Sequence, residues 1–244
     1  KIGGESGSGT NIANNSNCER WNSGTYDTYQ VITGLPKGRY TLTAQAFYRH
    51  GNADQAAADA YEAGTEVSPI LYANGQEVKI KSVFSEAKTE VEGGWAVAAG
   101  KYFIPNGQAQ AAYCFSEGAY MHTISDIIVD ADTLRIGVKR EGDAIKDWTV
   151  FDQFRLTFED YVGPIDVNGL GALKNIKLGM AGAEVNVTVE NAKITALAES
   201  AVGFIEDATG AAMFAIDEPV EGVAVGKSLT GKISGGYMDM GTGP

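Results

Sequence analysis

From Cys18 to Tyr161 the chain is a succession of short runs in which apolar and polar residues alternate, each closed by a turn signal. A period of two marks strands half-buried against a core, and its repetition at short intervals specifies an all-β sandwich. Pro36-Lys37-Gly38 leads into Tyr40-Thr41-Leu42-Thr43-Ala44, and Asn74-Gly75 joins Ile70-Leu71-Tyr72 to Val78-Lys79-Ile80 as a hairpin turn. Asp130-Ala131-Asp132 separates Ile127-Ile128-Val129 from Leu134-Arg135-Ile136-Gly137-Val138. Only Gln55 to Ala63, rich in Ala and closed by Gly64, reads as helix, inserted between strands. Residues 1–17, rich in Gly, Ser and Asn, read as a flexible linker.

Composition shifts at Asp160-Tyr161-Val162-Gly163-Pro164, because all three Trp and nearly all Tyr and Phe precede it. A domain boundary is expected there, with a sandwich over residues 18–160 and a second domain over 165–244. That second stretch offers a long run from Glu184 to Leu197, then Val202 to Glu206, a tight turn Asp207-Ala208-Thr209-Gly210, Ala211 to Ile216, and Ser228 to Ser234. The pattern suits a small barrel, and a five-stranded one would lack its last strand, as in either a truncated chain or a natural fragment.

The whole chain has 244 residues, 44% of them hydrophobic and 20% charged, enough to bury a sizeable core. Its formal net charge of −12 repels phosphate backbones and anionic lipid, so neither nucleic acid nor membrane is an expected partner. The longest apolar runs span a handful of residues, against the ~20 that a membrane helix needs. In residues 165–244 acids outnumber lysines and arginine is absent, which leaves a spacer or partner-docking role in place of oligonucleotide binding. The N-terminus has no signal pattern, so the chain is either cytoplasmic or has had a leader removed ahead of Lys1. The two cysteines, Cys18 and Cys114, read as free packed thiols, with a single bridge as the alternative.

Glu19-Arg20-Trp21-Asn22, Tyr26-Asp27-Thr28-Tyr29-Gln30, Gly34-Leu35-Pro36-Lys37-Gly38-Arg39-Tyr40, Phe47-Tyr48-Arg49 and Asp147-Trp148-Thr149-Val150-Phe151-Asp152-Gln153-Phe154-Arg155-Leu156 carry a family likeness. Across residues 18–160 the chain resembles the galactose-binding-like jelly-roll β-sandwich domains of secreted Bacteroidetes proteins, which accompany polysaccharide-degrading enzymes. Residues 165–244, with Phe204-Ile205-Glu206-Asp207-Ala208-Thr209-Gly210-Ala211, resemble the oligonucleotide/oligosaccharide-binding (OB) barrel appended to such proteins.

Sugar recognition needs an aromatic face for a pyranose and planar polar groups for its hydroxyls, gathered on loops at one end of a sandwich. Trp21 and Trp95 lie in loop-like contexts, Tyr48 and Arg49 end a strand, and Asp147 and Trp148 open the closing strand. The resemblance implies that the residue near Asp147 bonds ligand hydroxyls. For each aromatic the plainer alternative is packing in the core or at its rim. Strict alternation along the closing strand sets Trp148, Val150, Asp152, Phe154, Leu156 and Phe158 on one face, which makes Asp152 a carboxylate among core residues. It is either a hydrogen-bonded structural Asp, with Arg155 displaced by a bulge, or a calcium ligand. The resemblance implies a structural calcium between acids of the first and last strand regions, where Glu19 and Asp152 stand.

Catalytic signals are lacking. The two histidines, His50 and His122, exclude a His-rich zinc site, and no zinc, nucleophile-elbow or phosphate-loop motif occurs. Cys114 and His122 are read as packing and turn residues. The expected function is non-catalytic carbohydrate binding at Trp21, Tyr48, Arg49, Asp147 and Trp148. The alternative is a structural or adhesion module that makes protein contacts within a larger surface protein.

Overall fold

Alternating runs leave each strand with an inward and an outward set of side chains, and the two sheets of the sandwich follow from burying the inward sets together. The computed structural model describes residues 3–4, 10–14, 17–88, 97–176, 183–198, 201–217 and 220–238. The chain divides into two units, Lys1–Pro36 with Tyr40–Phe158, and Lys37–Arg39 with Glu159–Pro244. Trp95 lies outside the described residues.

In chain order the first unit uses β1 (Gly3–Gly4), β2 (Thr10–Asn14), β3 (Asn17–Trp21), β4 (Tyr26–Thr33), β5 (Gly38–Arg49), α1 (Gln55–Glu62), β6 (Ile70–Ala73) and β7 (Gln76–Lys79). It continues with β8 (Val97–Ala99), β9 (Tyr102–Ile104), α2 (Gln108–Ser116), β10 (Met121–Val129), β11 (Thr133–Arg140) and β12 (Trp148–Tyr161). One sheet is ordered β1-β4-β11-β6-β7 and the other β10-β5-β12-β3-β2. The fold is an all-β sandwich.

Between the sheets, Tyr26, Leu134, Ile136 and Val138 meet Leu42, Ala44, Tyr48 and Phe151. The second sheet is also covered on its other face. There Phe47, Trp148 and Val150 pack under Ala57 and Ala58 of α1, Ala111, Cys114 and Phe115 of α2, and a 3-10 turn, Val83–Glu86. A sheet buried on both faces loses its alternation, and from Ala44 to Arg49 every residue of β5 is buried. No disulfide joins the two thiols. Cys18 packs toward the inter-sheet core while Cys114 belongs to the helical layer, so the second sheet stands between them.

Three sequence expectations are corrected. Gln55 to Ala63 is joined by a second helix, α2, whose Ala and Gln favour helix while its Tyr, Cys and Phe obscure the signal. Within residues 1–17, Thr10–Asn14 pairs antiparallel with β3, from Thr10 opposite Trp21 to Asn14 opposite Asn17. An edge strand of this kind is held by backbone hydrogen bonds and needs no apolar pattern to form. Asn17 is itself buried, its side-chain amide donating to Gln108 O at 2.8 Å.

The third correction concerns β12. Gln153 holds a left-handed backbone, φ 56°, which shifts the strand's phase by one residue. Trp148 and Val150 therefore face the helical layer, whereas Phe151, Leu156 and Phe158 face the inter-sheet core. Asp152 is half-buried beside Cys18 and not a carboxylate in the core. Asp126 in β10 and Asn191 in the second unit take the same left-handed turn inside strands, at φ 57° and 51°.

The second unit comprises β13 (Ile165–Asn168), β14 (Ala183–Ala198), β15 (Val202–Asp207), β16 (Gly210–Ala215) and β17 (Ser228–Tyr237). Long β14 pairs antiparallel with β15 through its second half and with β17 through most of its length, with register shifts at Val189/Ala192 and Ile194/Ala196. β13 lies parallel to β14. The Asp207 carboxylate holds the β15–β16 turn by accepting the N–H groups of Thr209 and Gly210 at 2.7 and 3.0 Å. Among the described residues no helix is long and apolar enough to cross a membrane.

Candidate functional site

The β3–β4 loop, the segment after β5 and the β11–β12 loop converge at one end of the sandwich. Asn22 N–H donates to Asp147 O at 2.7 Å, Lys146 N–H donates to Asn22 Oδ1 at 2.9 Å, and Gly142 N–H donates to Thr25 Oγ1 at 3.1 Å. Asn22 and Lys146 both adopt left-handed backbone, φ 51° and 60°, which lets the chain reverse sharply before and after the strand pair. Gly24 does the same at φ 63°, within 3.3 Å of Ala144 N and Gly142 O were a Cβ present, so the two loops close directly on each other there.

Trp21 and Trp148 are cross-strand partners on this end, next to the pair Glu19 and Val150. Trp148 is buried against Phe47, ring centres 5.2 Å apart, and its indole N–H donates to Glu19 Oε2 at 2.7 Å. The guanidinium of Arg49 lies 5.3 Å from the Trp148 ring, Nε donates to Gly51 O at 2.9 Å, and Nη1 donates to Asn106 Oδ1. Burial lowers the Arg49 pKa to about 10, with Asp54 and Asp147 opposing, so it stays charged at neutral pH. Trp21, by contrast, is 41% exposed. The adjoining β11–β12 loop, residues 141–146, is exposed throughout, Ile145 included.

Behind the loops sits a buried ion pair. Arg140 Nε stands 3.4 Å from Asp147 Oδ2, both side chains almost wholly enclosed. Arg140 Nη1 also donates to Gly24 O and Asp143 O at 3.1 and 3.0 Å, and Asp147 Oδ1 accepts Ile145 N–H at 3.3 Å. Tyr48 is fully buried, its hydroxyl 3.4 Å from His50 Nδ1, and burial raises its phenol to about 12. The His50 pKa is lowered by burial and by the Arg140 charge.

Of the residues expected to bind sugar, Tyr48, Arg49, Asp147 and Trp148 are therefore gathered here but buried, while Trp21 alone of the five presents an open ring. Sequence reasoning missed Arg140, Asn22 and Asn106. The signal for Arg140 was present: it continues the inward series Leu134, Ile136, Val138, where a charge is out of pattern. The outer face of the first sheet carries another cluster unread in the sequence. Arg135 lies 3.8 Å from the Tyr29 ring centre, donates to Tyr72 Oη at 3.1 Å and pairs with Asp27 at 2.5 Å.

Glu19 and Asp152 stand on adjacent strands, and the Glu19 carboxylate already accepts the Trp148 indole. Calcium takes about six to eight oxygens. Two carboxylates alone do not make such a cage, and among the described residues no group of three or more His, Cys, Asp or Glu side chains gathers for a metal. The Cys114 thiol is pushed up to about 12 by burial, the opposite of what a nucleophile requires.

No family model matches the chain, and no curated protein matches it. Among solved structures, the carbohydrate-binding module TmCBM61, in complex with β-1,4-galactotriose, is similar over 65% of this chain and 88% of its own, at 16% identity and a TM-score of 0.36.

Proposed function

We propose that the first unit is a non-catalytic carbohydrate-binding module of a secreted or cell-surface protein, and that its ligand stacks on the exposed face of Trp21. The observation that carries this reading is the contrast between the two cross-strand tryptophans. Trp148 is fixed by Phe47, Glu19 and Arg49, and Trp21 rests beside it with its own ring open among polar loop residues. An open aromatic face flanked by amides and acids is what pyranose stacking needs. Tyr29 does not compete for the role, because Arg135 already occupies its ring face. In this reading Arg49, Asp147, Tyr48 and Trp148 set the loops, and Asn22 with the exposed residues 141–146 meets the hydroxyls. The second unit is read as an OB-like sheet, with β14 as the long bulged first strand, acting as a spacer.

A glycan array with the full chain tests the proposal. Retention of a defined glycan by the native protein and its loss in Trp21→Ala is the expected result. Equal retention by both proteins would sink the Trp21 assignment, and a blank with folded protein would turn the reading to protein contacts. A specific feature favours that second reading for the second unit: Phe204 and Met213 are cross-strand partners on β15 and β16, 49% and 53% exposed, and form an apolar patch.

A further inference from the structure

β16 is an end strand of its sheet, and among the described residues β15 is its one strand neighbour. Just beyond the pair Val202 and Ala215, Ile216 N–H donates to Ala201 O at 2.8 Å. Opposed residues of an antiparallel ladder alternate between bonded and unbonded pairs, so Phe214 and Ala212 aim their backbone groups at β15 in step with Ile216. Ala211, Met213 and Ala215 turn theirs the other way. An N–H and a C=O from each of them line an edge that no described strand covers.

Open edges are commonly blunted by charge, glycine or a bulge. Among the other end strands, β7 carries Glu77 and Lys79, β10 carries Asp126 in its left-handed turn, and β17 carries Lys232 with Gly231, Gly235 and Gly236. β16, Gly-Ala-Ala-Met-Phe-Ala, has no charged residue, and its glycine sits at the turn. Its outer face is apolar as well. Ala196, Phe204 and Met213 form one row across β14, β15 and β16, and Val202 lies beside Ala215 in the next.

We infer that β16 pairs antiparallel with β16 of a second copy of this chain, about a two-fold axis at Met213. The direction of the backbone groups fixes that register. Centred on Met213, the edges form three pairs of two hydrogen bonds each, Met213 with Met213, Ala211 with Ala215 and Ala215 with Ala211; a centre on Ala212 leaves two such pairs. The side chains suit the same register. On the outer face Phe204 and Met213 of one copy continue into Met213 and Phe204 of the other, and on the opposite face small Ala212 stands across from large Phe214. At the ends Thr209 faces Asp217, so no two acids are directly opposed. Such a pairing is self-complementary and uses each edge once, so it closes at two copies. It rests on the protein-contact reading of the Phe204 and Met213 patch, names the partner, and does not depend on glycan binding by the first unit.

Sedimentation equilibrium of the full chain, from low to high micromolar concentration, is expected to show the mass doubling. Met213→Lys, at an exposed position, sets two ammonium groups opposite each other and should weaken the dimer about tenfold or more, with the far-UV circular dichroism unchanged. In the native protein, amide exchange of Gly210–Ala215 should slow as concentration rises and the dimer forms. A protomer mass at every concentration, a Met213→Lys protein that associates as the native one does, or exchange in this segment that ignores concentration overturns the inference. A protomer mass removes the second copy as partner and leaves the apolar patch to a different protein. Glycan retention by Met213→Lys stays at the native level, which keeps failure here apart from failure of the Trp21 assignment.

Discussion

Trp21 and Trp148 face each other across β3 and β12, yet Trp148 is 3% exposed and Trp21 41%. The same residue type at two paired register positions is thus buried in one strand and open in the other. Trp148→Ala removes a ring packed on Phe47 and leaves the Glu19 carboxylate without its donor, and should cost about 3–5 kcal/mol of unfolding free energy. Trp21→Ala should move stability by about 1 kcal/mol or less while removing glycan retention. Urea denaturation beside a glycan-binding assay separates the two, and a Trp21 variant as unstable as the Trp148 variant would contradict the assignment.

The enclosed pair Arg140 and Asp147 makes a different demand. Asp147→Asn alone should destabilise by about 3–5 kcal/mol, because it strands a buried guanidinium. Arg140→Met with Asp147→Leu should recover most of that loss. A double variant no better than the single one would mean that the pair's contacts to Gly24 and Asp143, and not its charges, hold the loops.

Much of the fold was legible. The hairpin at Asn74-Gly75, the strands Ile70–Ala73 and Thr133–Arg140, and the run that became β14 follow from alternation and turn chemistry alone. What alternation hid was the second sheet's other face. β5 is buried on both sides, so its pattern carries no sign that a helical layer covers it, and α2 within that layer lacks a clear amphipathic stripe. The faces of β12 were read correctly as far as Trp148 and Val150, then inverted beyond Gln153. No propensity announces a left-handed glutamine in mid-strand. Candidate site residues were chosen by type, but burial, which decides whether they touch a ligand or a neighbour, belongs to the tertiary structure.

Gln153 gives a direct test of that bulge. A side chain at φ 56° carries a backbone cost of about 1–2 kcal/mol that glycine escapes. Gln153→Gly is expected to raise the urea midpoint slightly, after glycine's own entropy is subtracted, and Gln153→Val to lower it. A midpoint that falls for both would show that the glutamine side chain, and not the turn, is what matters there.

His122 sets an acid limit on stability. It is buried beside Ala46 O, and desolvation holds its pKa below the ordinary value of 6.5. The folded state therefore disfavours the protonated ring: the stabilisation is complete above pH 6.5 and is lost as pH falls toward the lower folded value. Denaturant midpoints should drop between pH 7 and 5, and His122→Gln should flatten that slope. An unchanged slope would assign the loss to carboxylates.

Calcium provides a control on Glu19 and Asp152. With the Glu19 carboxylate engaged by Trp148, millimolar calcium is expected to leave Tm within about 1 °C of its value in chelator. A larger rise that Asp152→Asn removes would instead require that further oxygens complete a site there.

The second sheet has a core on each side, whereas the first sheet turns its outer face to water. Amide exchange should record this as two tiers. The amides of β5, β12 and β10 are the last to take up deuterium, and those of β6 and β7 among the first within the same unit. A protease or a chaperone meeting this protein would thus encounter the open sheet while the shared wall is still closed.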